Sequence, residues 1–367
     1  MPVKYVDLAR QYEGILPEVV KAVEQVLKSG NFILGPQVKK LEEDFARYCN
    51  AKYAVGVANG TDALILAMKA LGIGAGDEVI VPPNSFLASA SSVVLVGAKP
   101  VFVDVCEDFN INPTLIEKAI TKKTKAIMPV HLTGRPCDMD SIMDIAKKHG
   151  IQVIEDYAQA VGAEYRKRKV GSFGIAGCFS FHPLKNLAAA GDGGIITTSD
   201  EKVYKRILTA RNHGLKSRDE CEFWSINSRL DEIQAAILNV KMKHIDRWND
   251  MRRKNAEYYI KCLSGLVEVP REKPFERSVY HTFIVKTDRR GEMKAFLEDK
   301  GIETKIHYPI PIHLQQAAKS LGYNEESFPE TARQRDTMLS LPIYSEMSRD
   351  MQDEVIAGIK EFKSNKK

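Results

Sequence analysis

Residues 54–71 read Ala54-Val55-Gly56-Val57, then Ala58-Asn59-Gly60-Thr61-Asp62, then an apolar stretch through Leu71. A short β-rich run, a polar turn and a stretch of helical pattern follow one another within eighteen residues. The same sequence of signals recurs downstream. Val79-Ile80-Val81 precedes Phe86 to Val96, and Val101-Phe102-Val103 precedes a segment around Leu115 to Ile120. Ala126 to Val130 precedes Asp138 to His149, and Val153-Ile154 follows. Strand–helix alternation of this kind predicts an α/β fold whose central sheet is mainly parallel and sandwiched by helices. Such sheets gather ligands at the carboxyl ends of their strands, so functional residues are expected just after each run.

The pattern changes beyond residue 170. Cys178-Phe179-Ser180-Phe181 and Ile195-Ile196-Thr197-Thr198 read as strands joined by a Gly-rich loop with no helix between them. A stripe of Leu238, Met242, Ile245, Trp248 and Met251 then predicts one long helix over about 231–262. It would link a large domain, residues 1–245 with its N-terminal arm, to a smaller C-terminal α+β domain, residues 246–367.

Composition narrows the function. With 367 residues and a net charge of +5, the chain is too weakly basic for its length to imply a nucleic-acid partner. No apolar run approaches the roughly 18 residues of a membrane span. The six cysteines, Cys49, Cys106, Cys137, Cys178, Cys221 and Cys262, include no close pair of the kind a zinc or redox motif needs, so no metal site is expected. The opening residues through Asp7 lack an apolar signal core, and a cytoplasmic setting with free thiols is expected.

Four local features can carry chemistry. Asn59-Gly60-Thr61-Asp62 opens a helix after a strand; it reads as an anion site of backbone N–H groups or as a plain N-cap. Glu155-Asp156 follows the apolar strand Val153-Ile154, where a ligand-contacting acid or a strand-ending turn belongs. Lys185 lies within CFSFHPLKNLAAAGDGG, residues 178–194, a desolvated setting suited to a lysine nucleophile. Ile306-His307-Tyr308-Pro309-Ile310-Pro311-Ile312-His313 displays two imidazoles and a phenol on a segment stiffened by two prolines. An acid, a lysine and a phosphate-binding turn are together what pyridoxal 5'-phosphate (PLP) requires: a protonated ring nitrogen, a covalent anchor and a phosphate cradle.

These motifs resemble, through nearly the whole chain, the DegT/DnrJ/EryC1/StrS family of PLP-dependent sugar aminotransferases, which share the aspartate aminotransferase fold (fold type I). The likeness runs from Ser29-Gly30-Asn31-Phe32-Ile33-Leu34-Gly35-Pro36 through Asn59-Gly60-Thr61-Asp62, Gly76-Asp77-Glu78-Val79, Pro129-Val130-His131-Leu132, Phe179-Ser180-Phe181-His182-Pro183, Arg211-Asn212-His213-Gly214 and Ser228-Arg229-Leu230-Asp231-Glu232 to Leu341-Pro342-Ile343-Tyr344. The resemblance implies that Lys185 bonds the cofactor and later moves a proton, and that Asp156 pairs with the ring nitrogen. It implies that Gln159 contacts the phenolic oxygen, that Gly60, Thr61 and Ser180 hold the phosphate, and that Phe86 stacks on the ring. Asn227 would reach the phosphate of a neighbouring subunit, making a homodimer with shared sites the expectation. His182, His307 and Tyr308 would face the sugar; His131 and His213 are expected to be structural.

The implied reaction moves an amino group from L-glutamate to a nucleotide-linked keto sugar, for surface polysaccharide or a secondary metabolite. Members acting at C3 tend to carry Asn-Gly-Thr-Asp, Lys-Asn-Leu before Gly-Asp-Gly-Gly, and His-Tyr-Pro-x-Pro, and all three are present here. A C4-keto sugar or keto-inositol substrate, or a non-catalytic regulatory role, are the alternatives. Tyr157, Ala188-Ala189-Ala190, Ile175 and the glycine-free turn Arg166-Lys167-Arg168-Lys169 depart from the usual pattern, and Tyr157 and the alanines are expected to alter substrate fit.

Overall fold

The computed structural model describes residues 2–365. Seven strands form the central sheet: β1 (Tyr53–Val57), β2 (Glu78–Val81), β3 (Lys99–Phe102), β4 (Thr124–Ile127), β5 (Gln152–Asp156), β6 (Ala176–Ser180) and β7 (Gly194–Thr198). Their spatial order is β1-β7-β6-β5-β4-β2-β3. All run parallel except β7, which is antiparallel to both β1 and β6. That one reversal explains the missing helix after β6, because an antiparallel neighbour needs only a loop whereas a parallel one needs a crossover.

The strands are buried on both faces, as the near-continuous Val/Ile runs require. One face carries Val55, Leu64, Met68, Val79, Ile154 and Ile196 against helices Gly60–Ala70, Leu87–Leu95 and Glu201–Ala210. The opposite face packs Phe45, Phe179, Phe181 and Leu238 near one edge and Ile80, Ile127, Ile142 and Val153 near the other. A third cluster, around Tyr259, Phe283, Leu297, Leu339 and Ile359, belongs to the C-terminal part, whose two-stranded sheet pairs Phe283–Lys286 with Met338–Leu341. Val3 is buried in that same cluster and its backbone bridges Ile302.

The single helix expected over 231–262 is instead two, Glu232–Met242 and Ile245–Leu263. The apolar stripe passes through the break, so periodicity did not register it. We place the division between the large and small parts at this break, beside residue 245.

The glycine-free turn forms nonetheless: Arg166 and Lys167 adopt positive φ, +48° and +65°, between the short paired strands Glu164–Tyr165 and Arg168–Lys169. Two successive left-handed residues match the twist of a tight hairpin. Arg166 also pairs with Asp140 and lies 5.1 Å over the Phe275 ring.

Candidate active site

The β1, β5 and β6 carboxyl ends lie on one edge of the sheet, joined there by the start of antiparallel β7. Gly194 pairs with Val57 on one side and Ser180 on the other, which sets the Asn59 turn beside Ser180. Asn59 Oδ1 accepts the Asp62 N–H at 2.8 Å, so the turn is an N-cap. Capping satisfies one donor and the first helical turn has four, so further N–H groups there are open to an anion. Gly60 is obligatory here: a Cβ on it would lie 2.6 Å from the Ser180 Cβ. Gly60 and Ser180 are therefore in direct contact, and one added methyl group would force them apart.

Asp156 ends β5 and is 5% exposed. Ser89 Oγ donates to its Oδ2 at 2.7 Å, and Ser85 Oγ stands 2.6 Å from Ser89 Oγ. The Ala158 N–H donates to Oδ1 at 3.2 Å. Burial pushes the Asp156 carboxyl up, while Ser89, Ala158 and the Lys185 charge hold it down. Lys185 lies on the loop between β6 and β7 and is half-buried. Enclosure brings its ammonium down to about 8, opposed by the negative charge of Asp156. The two groups are thus close enough for each to alter the other's proton affinity.

Around this pair stand the other residues singled out from the sequence. Gln159 Oε1 accepts the Thr133 N–H at 2.8 Å, and its Nε2 donates to the Tyr308 hydroxyl at 3.3 Å. The Tyr308 ring is 5.9 Å from that of Phe86, which is 55% exposed despite being apolar. His307 Nδ1 lies 2.9 Å from Ser340 Oγ, and burial with the Lys185 and Lys305 charges lowers its imidazole to about 4, leaving it neutral at pH 7. His182 is exposed beside Ser180 and is lowered by burial and Lys185. Asn227 stands apart: it is exposed, its backbone bridges Asn212, and none of the hydrogen bonds within the cleft includes it.

Three further residues belong to the site. Ser89 orients Asp156. His281, from the C-terminal part, shares a 3.3 Å contact with Asn186, and burial with the nearby Lys185 charge drives it well below the ordinary histidine value. Thr133, at φ +62°, fixes Gln159. The helix-start position of Ser89 is legible after the fact; nothing in the pattern around Tyr280-His281-Thr282 marks His281.

Tyr157 does not touch this cleft. It is fully buried, its hydroxyl 3.2 Å from Thr197 Oγ1 and its ring filling the space that a Cβ on Gly171 would need. Ala188 and Ala189 are buried too. Tyr157, Ala188 and Ala189 therefore pack in the core, whereas Ala190 is exposed on the loop after Lys185. His131 is sealed in the core between Glu155 Oε2, 3.1 Å from its Nε2, and the Cys137 N–H, which donates to its Nδ1 at 2.9 Å.

The residues fit PLP: helix-start N–H groups for the phosphate, a buried carboxylate for the ring nitrogen, a lysine of lowered proton affinity for the aldehyde and an exposed aromatic ring, Phe86, beside Tyr308. Residues 15–360 match the DegT/DnrJ/EryC1/StrS aminotransferase family. The chain belongs to that family. It is 46% identical to the pleiotropic regulatory protein of Geobacillus stearothermophilus, with 99% of each chain covered. It is 42% identical to the dTDP-3-amino-3,4,6-trideoxy-α-D-glucose transaminase of Streptomyces venezuelae, over 98% of this chain and 96% of that one. The crystal structure of S. venezuelae DesV in complex with a ketimine intermediate superposes on this aminotransferase with a TM-score of 0.98, covering both chains completely. Among the described residues, no helix of this family member is long and apolar enough to cross a membrane.

Proposed function

We propose that this aminotransferase moves an amino group from L-glutamate to a nucleotide-linked 3-keto sugar, with Lys185 and Asp156 as its catalytic residues. One observation carries the reading: Lys185 and Asp156 stand close enough for each charge to act on the other, on the sheet edge where Gly60 packs against Ser180. The C3 position rests on the Asn-Gly-Thr-Asp, Lys-Asn-Leu and His-Tyr-Pro-x-Pro segments and on the relative named for a 3-amino sugar.

When bound, PLP supplies a conjugated ring that accepts an electron pair released beside the amine. Gly60 and Thr61 N–H groups and the Ser180 hydroxyl hold the phosphate at a helix N-terminus, where the positive dipole end adds to the attraction. Asp156, oriented by Ser89, would hold a proton on the ring nitrogen. Gln159, fixed by Thr133, would contact the phenolic oxygen, and Phe86 would supply an aromatic face for the ring. Lys185 would be the residue that bonds the cofactor, and its amine, lowered to about 8, is suited to take and return a proton near neutral pH. His307, neutral, and Tyr308 orient the sugar hydroxyls together with His182. Asn227 completes the phosphate site of a second subunit, so the active unit is a homodimer. Its place is the cytoplasm, where nucleotide-linked sugars are made.

The name of the 46% identical relative favours a regulatory role as a second reading. The retention of Lys185, Asp156 and Ser180 around an open cleft argues for turnover. A direct test is borohydride reduction of the holoenzyme, followed by locating the cofactor on the chain. Trapping is expected at Lys185, with an absorbance band near the visible edge. Lys185→Ala should lose the band, the trapped adduct and at least about 10⁴-fold in turnover. A Lys185→Ala protein that still transaminates sinks the assignment.

A further inference from the structure

The chain has two tryptophans, and they occupy opposite extremes. Trp248 is 6% exposed, whereas Trp224 is 93% exposed. Exposure of so large an apolar ring is uncommon, and tryptophan is enriched where a partner or ligand covers it.

Looseness of the loop does not account for it. Leu215 bridges Cys221, and the Glu222 N–H donates to the Gly214 carbonyl at 2.8 Å. Gly214, at φ +78°, presses so closely on the Phe223 carbonyl that a Cβ would lie 1.7 Å from it. Phe223 and Ile226, on either side of Trp224, pack into the core cluster beneath helix Glu201–Ala210, and Ser225 Oγ donates to the Ala210 carbonyl at 2.7 Å. The neighbours are tied down and the indole is held outward as a platform.

The loop also has a defined address. Three residues after Trp224 comes Asn227, and the next, Ser228, accepts the Ala58 N–H at 3.2 Å, next to the phosphate turn of its own chain. An exposed apolar strip, Phe32, Ile33 and Leu34, adjoins it through the Ile33–Asp231 bridge. Lys216 and Arg218 on the same loop are exposed, as are Asp219, Glu220 and Glu222, and Lys216 lies 3.7 Å from Glu220.

We propose that Trp224 stacks on the nucleobase of the nucleotide-linked substrate held in the partner subunit's cleft. The proposal rests on the reading that Asn227 reaches a second subunit. If it does, Trp224 stands at the mouth of that subunit's cleft. The sugar carbon must reach Lys185, so the base, at the far end of the diphosphate, lies at that mouth. A base has a flat π-face whichever nucleotide carries it, and stacking on an aromatic ring is tolerant of sequence.

Two measurements decide it. Titrating the holoenzyme with dTDP, and separately with UDP, should quench tryptophan emission saturably in the native protein and not in Trp224→Phe. With dTDP-3-amino-3,4,6-trideoxy-α-D-glucose assayed in the reverse direction, Trp224→Ala should raise KM about tenfold, with kcat within twofold. Co-expressing Trp224→Ala with Lys185→Ala should then restore native KM in the mixed dimer, because one site combines an intact lysine with an intact indole. Asn227→Ala paired with Lys185→Ala is the control. If Asn227→Ala complements and Trp224→Ala does not, the shared site stands and the assignment of Trp224 fails. If neither complements, the shared site itself fails and the proposal with it. Trp224→Ala or Trp224→Phe protein that is monomeric by sedimentation, with native KM or native quenching, overturns the proposal and makes the indole a subunit contact only.

Discussion

Lys185 and Lys241 are both lowered to about 8 by burial, yet their surroundings differ in kind. Lys185 lies on a loop at the carboxyl edge of the sheet, part of it open to a cleft, with the Asp156 carboxylate as its electrostatic counterweight. Lys241 is on helix Glu232–Met242, 1% exposed, its ammonium 4.8 Å from the centre of the Tyr12 ring and 5.9 Å from that of Trp248. A depressed proton affinity therefore reports enclosure. Lys241 also has an opposing charge, that of Glu346, so what sets Lys185 apart is its half-open position on the loop after β6. Aromatic faces stabilise an ammonium without offering anything for it to react with.

Removing the acid is the severest way to break this contrast. Asp156→Ala leaves Lys185 enclosed with no counter-charge, whereas Lys241 keeps that of Glu346. Turnover should fall on the order of 10³-fold, the scale of a lost electrostatic group in an enclosed site. The pH midpoint for PLP capture by the apoprotein should also move below about 8, since Asp156 is what holds the lysine up. Unchanged turnover, or a midpoint that rises, would remove Asp156 from its assigned place.

A smaller change attacks the cradle. In Gly60→Ala the added methyl meets Ser180 at a separation that real Cβ atoms do not tolerate, so the turn or Ser180 must shift. PLP affinity measured by equilibrium titration should weaken about 10- to 100-fold, the cost of one or two displaced charge-assisted hydrogen bonds. Thermal stability of the apoprotein should change far less than PLP affinity. An equal loss in both would make Gly60 a packing residue and nothing more.

The sheet was legible in the sequence because its strands, buried on both faces, read as uninterrupted Val/Ile runs punctuated by turns. Asp156 and the Asn59 turn were legible for a related reason, since each ends or follows such a run, and Lys185 because it stands alone in the small-residue, Gly-rich loop after β6. What pattern reading missed depends on contacts distant in sequence. Ser89 reaches Asp156 across 67 positions, and His281 meets Asn186 across 95. The helix break at 243–244 was hidden because an apolar stripe constrains which face is buried and says little about continuity. Tyr157 misled for a geometric reason. Residues alternate sides at a strand end, so the neighbour of an acid that faces the cleft faces the core. Glu155, on the other side of Asp156, does the same: it accepts the Gly171, Phe173 and Gly174 N–H groups at 2.6–2.8 Å and organises the turn behind the site.

The mildest perturbation tests the other lysine. Lowering an amine from 10.5 to about 8 means that keeping Lys241 charged at pH 7 costs about 3 kcal/mol. Contacts with Tyr12 and Trp248 offset part of that cost, each within about 0.5–2 kcal/mol. Lys241→Met keeps the apolar stem and removes the charge, so stability at pH 7 should change by no more than about 1–2 kcal/mol, in the stabilising direction, with turnover intact. The sign of the pH dependence is the sharper readout. Between about 8 and 10.5 the unfolded chain binds a proton that native Lys241 has released, so this group makes native stability rise with pH across that window. Lys185 contributes equally to both proteins and drops out of the difference. Denaturant midpoints taken from pH 7.5 to 10 should therefore show the advantage of Lys241→Met shrinking as pH climbs. A constant offset would mean that Lys241 keeps its proton throughout, and the likeness between the two lysines would then end with their burial.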